Sequence, residues 1–187
     1  GQWPSRAAVF TALAVTTAAV TAEVPTMQAV PQPYHQISFQ RDGQEIARYH
    51  FGPDLRRPFL FPVIGPSGHA LTRMGHPHDP EGHSHHSSVW VSHQSVAGVN
   101  FWEDREVGAR IIHRRLEQLS DGPEEAAIVC HNEWRGTNEA PRLAERRRIA
   151  VRSMPHREWL LVLDITLRAV SEPVELGATP FGILGVR

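Results

Sequence analysis

Apolar and polar residues alternate with a period of two along most of the chain after residue 33, which predicts β-strands rather than α-helices. In the clearest segment, five large apolar side chains share one face of a predicted strand: Trp159, Leu161, Leu163, Ile165 and Leu167. More polar residues occupy the other face, as is typical of a strand that packs on a core and also meets solvent. The pattern predicts a mostly antiparallel all-β domain and does not distinguish a sandwich from a barrel.

Turn-forming residues divide this pattern into separate strands. The dipeptide Asp42-Gly43 is typical of a two-residue β-hairpin turn, and it separates predicted strands over residues 34–40 and 45–51. Further strands are predicted over residues 59–64, 89–93, 110–119, 126–134 and 143–154. Within the last of these, the triplet Arg146-Arg147-Arg148 is predicted to be an exposed strand face.

The two ends of the chain differ from the β-domain that is predicted over residues 34–187. Residues 1–22 resemble a secretory signal peptide, because Arg6 precedes a short apolar run that ends in small residues. This pattern predicts export to the periplasm or the extracellular space, and the run is too short for a membrane span. Residues 23–33 are rich in proline and are predicted to be a linker. A turn and a new strand over residues 174–187 have no following partner, so we expect the N-terminal part of a larger domain.

Composition and charge exclude several classes of function. With 19 basic and 20 acidic side chains, the chain has a formal charge of −1 and lacks the clustered basic excess of an electrostatic nucleic-acid binder. Every basic residue is arginine, which excludes a lysine nucleophile or Schiff base within these residues. The single cysteine, Cys130, excludes an internal disulfide and is predicted to pack as a small apolar residue. No nucleotide-binding or serine-hydrolase motif occurs.

Histidine is the most informative residue type, because six of the twelve histidines fall between positions 76 and 93. They lie in a loop predicted over residues 75–88 and in the strand that follows it. Imidazole is both the commonest side-chain ligand of transition metals and a proton carrier near neutral pH. The sequence therefore leaves three interpretations open: a metal site, an acid–base site for a sugar, and a solvated loop.

The metal interpretation depends on an extended backbone, in which alternate side chains point the same way. Two pairs would then supply ligands, His76 with His78 and His83 with His85. One further side chain, His93, Asp79 or Glu81, would complete the site. Zinc or copper would suit such ligands. The spacing matches no established metal-binding motif.

The sugar interpretation rests on Trp90 and Trp102, which follow the histidines closely. An indole face can cover the apolar face of a sugar, and an imidazole can pass a proton to or from a sugar oxygen. Four neighbouring side chains could bind hydroxyl groups: Arg73, Ser87, Ser88 and Asn100. In the third interpretation the loop is solvated and both tryptophans are ordinary core residues.

The stretch from His83 to Trp102 resembles the signature of the PmoA-like family, whose members carry the label "methane oxygenase PmoA". The family pattern runs Asp-His-Pro-His-His-Arg-Gly, then Leu-Trp, a further His, and Val-Asn-Gly-Val-Asp-Phe-Trp. Six aromatic positions match it in register: His83, His85, His86, Trp90, His93 and Trp102. Gly82 and Ser87 stand where the family has Asp and Arg. The resemblance extends over residues 37–187.

The resemblance implies a fold similar to the galactose-mutarotase supersandwich, a large antiparallel β-sandwich that handles sugars. It implies catalytic, proton-handling roles for His85, His86 and His93. It also implies substrate-binding roles for four further residues: His83, Trp90, Asn100 and Trp102. Arg57 and Arg73 could hold the carboxylate or sulfate of an acidic sugar.

We therefore expect an exported protein that binds or modifies a small-molecule or polysaccharide sugar without a cofactor, for example as a mutarotase-like isomerase. Methane oxidation is discounted because the particulate enzyme subunit of that name spans a membrane and this chain has no span. Two alternatives remain open. One is a histidine-ligated metalloprotein, oxygenase-like as the label suggests, and the other is a sugar-binding module without catalysis.

Overall fold

The structure is a computed structural model that describes residues 1, 23–76, 78–104, 108–138 and 140–187. The predicted signal peptide, apart from its first residue, lies outside the described residues. Within those residues there is no helix with the length and hydrophobicity that a membrane span requires.

Ten described strands form two antiparallel sheets, which confirms the predicted all-β sandwich. The six-stranded sheet has the order β1-β2-β3-β4-β5-β10, and its strands are β1 Met27–Gln32, β2 Gln36–Arg41, β3 Gln44–His50, β4 Phe59–Val63, β5 Val89–Val91 and β10 Leu184–Val186. The four-stranded sheet has the order β6-β7-β8-β9, and its strands are β6 Arg110–Ser120, β7 Glu125–Arg135, β8 Pro141–Ser153 and β9 Trp159–Ala169. Two short 3₁₀ helices cover Pro80–His85 and Pro155–Arg157.

The predicted hairpin around Asp42-Gly43 is confirmed. Both residues have positive φ, 51° and 75°, and Arg41 pairs with Gln44 across the turn. Two successive left-handed residues give the type of turn whose twist matches that of the flanking strands. The sequence pattern was sufficient here because the turn residues act locally.

The linker prediction is wrong for the part of residues 23–33 that forms β1. β1 buries Met27 and Ala29, and it reaches the opposite sheet through a hydrogen bond of 2.9 Å from the Met27 N–H to the Gly122 carbonyl. The prolines that suggested a linker are tolerated because β1 is an edge strand, where a missing N–H need not break a hydrogen bond between strands.

The core contains two apolar clusters, one on each side of a buried ion pair. Along the inward face of β8, Leu143 belongs to one cluster and Ile149 to the other, with Glu145 and Arg147 between them. Glu145 is 1% exposed and Arg147 is 2% exposed, so both charges are removed from water. The prediction that the arginine triplet is an exposed face therefore fails at its middle residue.

The buried Glu145 carboxylate is held by three donors. Asn132 Nδ2 donates to Oε1 over 3.1 Å, Trp134 Nε1 donates to Oε2 over 2.6 Å, and Arg147 Nε also donates to Oε1. A buried charge is tolerated only when its partners satisfy it in this way. The network links β7 to β8 at the level where the two apolar clusters meet.

We expect the Glu145→Gln substitution to lower the free energy of unfolding by about 3–5 kcal/mol, because it leaves the Arg147 charge buried without a counter-ion. Urea unfolding followed by tryptophan fluorescence measures this change. The matched control is Glu117→Gln, which removes a surface carboxylate that pairs with Arg146 and His131 and should change the free energy of unfolding much less, because solvent screens these charges. Equal effects of the two substitutions would contradict the assigned role of the buried pair.

Candidate functional site

The candidate site lies on the outer face of the six-stranded sheet, the face turned away from the four-stranded sheet. Val89 and Val91 on β5 belong to the two core clusters, so Trp90 between them points outward. The histidine loop packs over this point. The loop is closed at its base by the bridge between Met74 and Ser87.

Five rings follow one another across the site, and we refer to them as the ring cluster: His83, His86, Trp90, Trp102 and Phe181. The centroid distances between successive rings are 4.8, 5.0, 5.2 and 5.4 Å. These separations are typical of favourable aromatic contacts. The structure therefore brings together two of the predicted histidines and both predicted tryptophans. His85 joins the cluster at its edge, with its ring 4.5 Å from that of His86 in a T-shaped contact.

The two tryptophans form the floor of the ring cluster. Trp90 is 2% exposed and Trp102 is 6% exposed, whereas Phe181 is 47% exposed and the histidines are half-buried. Phe181 stacks on Trp102 with an interplanar angle of 6°. The aromatic surface that a ligand can reach is consequently that of Phe181 and the imidazoles, with the indoles beneath.

Gly185 on β10 makes room for the Trp90 indole. It is the register partner of Trp90, and a Cβ atom added there would lie far inside van der Waals contact with the indole ring. A side chain at this position would force the indole or the strand to shift. The floor of the site therefore depends on a glycine in the neighbouring strand.

His86 is fixed as a neutral hydrogen-bond donor. Arg187 Nη1 donates to His86 Nδ1 over 2.9 Å, and since a guanidinium cannot accept, the proton of the neutral imidazole lies on Nε2. Burial, together with the charges of His85, His83, Arg187 and Arg57, lowers the pKa of His86 from its usual 6.5 to about 4. At neutral pH the ring is uncharged and offers an N–H group.

Asp79 orients the arginine that holds His86. The carboxylate is almost fully buried and accepts the His76 N–H over 2.9 Å. Arg187 approaches it to 3.1 Å and Arg73 to 3.2 Å. The bond from His76, followed by the two guanidinium groups, lowers the pKa of Asp79 to about 2 although burial acts in the opposite direction. A continuous chain of contacts thus runs from Asp79 through Arg187 to His86.

Two predicted substrate-binding residues hold the backbone near Trp102. Buried Arg57 donates from Nη2 to the Trp102 carbonyl over 2.9 Å and to Asp104 Oδ1 over 2.5 Å. Asn100 Oδ1 accepts the N–H groups of Trp102 and Glu103 over 2.9 and 3.1 Å. Arg57 and Asn100 are positioned to support the Trp102 turn.

His93, predicted as a catalytic residue, lies apart from the ring contacts. Its Nδ1 accepts the Ser95 N–H over 3.0 Å, and its carbonyl accepts the Phe101 N–H over 3.0 Å. Among the described residues, none of the ring contacts that form the cluster includes His93. Its position is that of a residue that closes a turn.

The extended backbone that the metal interpretation required is absent around His83 and His85. Pro80–His85 forms a 3₁₀ helix, so His83 stacks on His86 while His85 meets the edge of the same ring. The rings of His76 and His78 lie 6.2 Å apart. In the part of the chain that the structure describes, no three His, Cys, Asp or Glu side chains are grouped as metal ligands.

Two contributors to the site could not be identified from the sequence. Arg187 lies 101 residues from His86 and Phe181 lies in a turn-rich stretch, so neither shows a local pattern that links it to the histidines. The sequence suggests a role for Asp79 only as a metal ligand, whereas in the structure it binds Arg187 and Arg73. A pairing of β10 with β5 would have been the only useful signal, and three residues are too few to predict such a pairing.

We expect Gly185→Ala to lower the free energy of unfolding by about 1–3 kcal/mol, because the added methyl group overpacks the floor against Trp90. Urea unfolding and the tryptophan emission spectrum measure the effect. Gly182→Ala is the matched control, since nothing lies within 4 Å of its added Cβ atom, and should change stability by less than about 0.5 kcal/mol. If both variants behave like the unmodified protein, the tight packing of Trp90 is refuted.

We expect ¹⁵N NMR to find His86 as the Nε2–H tautomer at pH 7, with a pKa of about 4. Because the unfolded chain binds this proton more readily, the free energy of unfolding should fall as the pH drops from 6.5 to about 4. Arg187→Met removes a positive neighbour and should raise the pKa of His86. A proton on Nδ1 at pH 7 would contradict the assignment.

Comparison with known proteins supplies a family. Searches of curated proteins and of solved structures found no match. A family model described as a family of unknown function (DUF6807) matches residues 36–187, which include every member of the ring cluster. The chain therefore belongs to the DUF6807 family.

Proposed function

We propose that this protein binds carbohydrate at the ring cluster and that the histidines there carry out acid–base chemistry on it. The observation that supports the proposal most directly is an exposed aromatic face, Phe181, beside an imidazole, His86, that is fixed as a neutral N–H donor. Sugars have an apolar C–H face and a rim of hydroxyl groups. A site that combines an aromatic surface with fixed donors complements both.

The aromatic part of the site is preorganised. Phe181 stacks in parallel on Trp102, and the Trp102 backbone is held in turn by Arg57 and Asn100. One face of the Phe181 ring is covered by the indole, while nearly half of the side chain stays exposed. A sugar stacked on Phe181 would therefore meet a surface that needs little ordering on binding.

The polar part of the site offers hydrogen-bond donors. His86 supplies Nε2–H, and two buried N–H groups nearby, Trp90 Nε1 and Arg57 Nε, have no hydrogen-bond partner among the described residues. A buried donor without a partner costs about 1–3 kcal/mol, so native proteins keep few of them. Both atoms lie below the surface that a ligand can reach, so His86 Nε2–H is the donor that the site offers to a sugar hydroxyl.

His85 is the group that we propose for proton transfer. His86 has its Nδ1 occupied by Arg187, and its low pKa leaves it without a second proton at neutral pH. His85 contacts His86 edge-on and is half-buried at the rim of the cluster. An imidazole there could give a proton to a ligand oxygen or take one from it.

The contacts of His86 favour this proposal over the metalloprotein alternative. A metal ion binds a nitrogen lone pair, and in the described arrangement the Arg187 guanidinium occupies the lone pair of Nδ1 while Nε2 carries the proton. Zinc or copper would have to displace Arg187. Stoichiometric metal in the purified protein, lost in a His85→Ala/His86→Ala variant, would support the alternative instead.

A sugar-binding module without catalysis is the second candidate, and the state of Asp79 favours it. Two arginines and a backbone N–H engage this carboxylate and lower its pKa to about 2, which makes it a weak general base. The resemblance of the stretch from His83 to Trp102 to the PmoA-like family supports both candidates equally.

Export to the periplasm or beyond also remains a proposal, based on the pattern of residues 1–22.

We expect Phe181→Ala to weaken sugar binding about tenfold, because it removes the accessible stacking surface and leaves the donors in place. Isothermal titration against the best monosaccharide or oligosaccharide from a glycan screen measures the change. The control is Leu116→Ala, which truncates an exposed apolar side chain on β6 of the other sheet. Unchanged affinity in Phe181→Ala, or no binding of any glycan by the unmodified protein, would contradict the proposal.

Product analysis by NMR distinguishes the two candidates. If the protein is an enzyme, His85→Gln should abolish turnover and retain binding, since the residue moves a proton and Phe181 supplies most of the contact. If the unmodified protein binds a sugar and leaves it chemically unchanged, the non-catalytic module is correct.

A further inference from the structure

We infer that the ligand is an extended saccharide chain, which crosses the strands from the ring cluster to a second binding position at Tyr34 and His50. This inference rests on the proposed function and adds to it the size and direction of the ligand. It depends on a second cavity, on a row of side chains that joins this cavity to the ring cluster, and on an exposed tyrosine at the far end.

The second cavity lies at the ends of β2 and β3 and has a volume of about 520 Å³. Residues 34–36, His50 and residues 52–55 line it. It contains the Tyr34 ring, two imidazoles, an amide and the Asp54 carboxylate. This combination of an aromatic surface with a few polar groups is the kind found in small-molecule sites.

A row of register partners connects the cavity to the ring cluster along the outer face of the sheet. Gln36 pairs with His50, His50 with Phe59, Phe59 with Trp90, and Trp90 with Gly185. Directly paired residues in antiparallel strands point to the same face, so these side chains form one line. With adjacent strands 4.7–4.9 Å apart, the line from Trp90 to Gln36 spans about 14 Å, which exceeds one sugar ring.

The middle of the row is accessible and partly aromatic. His50 stacks on Phe59 with ring centroids 4.8 Å apart and an interplanar angle of 13°, and both are half-buried. The Phe61 carbonyl accepts from His50 Nε2 over 2.6 Å, so the neutral ring keeps Nδ1 as an acceptor for a hydroxyl donor. A chain of sugar units could stack on this pair between the two ends.

Tyr34 is exposed in a way that the fold does not require. Its side chain is 87% exposed, and Tyr34 and His35 both have positive φ, 62° and 57°. Asn and Gly adopt this conformation readily, whereas a bulky residue held there is strained. A strained turn that presents an aromatic ring beside a cavity is typical of a binding position.

One loop positions both ends of the row. Residues 52–55 line the second cavity, and Arg57 two positions later bonds the Trp102 carbonyl in the ring cluster. Arg110 from the other sheet donates to the Leu55 carbonyl over 3.2 Å and holds the loop in place. The two binding positions therefore have a fixed separation, which suits a ligand of defined repeat.

The experiment compares the affinity for glycans of increasing length. Monomers to hexamers of cello-, xylo-, malto-, chito- and galacturono-oligosaccharides are titrated against the full chain by calorimetry. In the series that binds, we expect affinity to rise at least tenfold between the monomer and the tetramer, because the longer chain reaches Tyr34. Tyr34→Asn should remove this gain and leave monomer binding unchanged, and it should fold well because Asn tolerates positive φ.

Two control variants separate this inference from the proposed function. Tyr34→Phe keeps the ring and should keep the gain with length, whereas Phe181→Ala should weaken monomer and tetramer alike. Equal affinity for monomer and tetramer, or a gain that survives Tyr34→Asn, would overturn the inference and leave sugar binding intact. If no member of any series binds, both proposals are overturned.

Discussion

The packing of Trp90 against Gly185 is the contact on which the rest of the site depends. Trp90 is almost completely buried, although it points away from the interior of the sandwich, because His86 covers one part of the indole and the glycine of β10 admits another. Trp102 then rests against Trp90, and Phe181 against Trp102. The two indoles form a rigid floor, and the His86 imidazole that packs on it therefore has a defined orientation.

Much of the fold could be predicted from the sequence because it depends on local patterns. The hairpin at Asp42-Gly43 and the half-buried face of β9 follow from turn chemistry and period-two alternation. β1 was missed because its prolines suggest a linker, and only the sheet order shows that it is an edge strand. The burial of Arg147 could not be predicted, although alternation turns it inward, because the sequence does not show that Glu145 is its buried counter-ion or that Asn132 and Trp134 hold the same carboxylate.

The candidate site likewise has a part that could be predicted from the sequence and a part that could not. The neighbours of Trp90 that lie close in sequence, His83 and His86, could be predicted to surround it, and the structure brings them together. Their geometry could not be predicted, since the sequence was interpreted as extended and Pro80–His85 forms a 3₁₀ helix. The residue that fixes the tautomer of His86 is Arg187, 101 residues further along the sequence, and such long-range contacts leave no periodic signal.

The contact between Arg187 and His86 also links the chemistry of the site to local opening of the sheet. β10 contains three residues and pairs only with β5 among the described strands, so few hydrogen bonds hold it in place. Separation of β10 from β5 would withdraw the guanidinium from His86, raise the pKa of the imidazole by removing one of the positive charges that lower it, and move Gly185 away from the Trp90 indole. The Nε2–H tautomer of His86 is therefore selected only while β10 is docked on β5, which ties the chemistry of the site to the local order of these two strands.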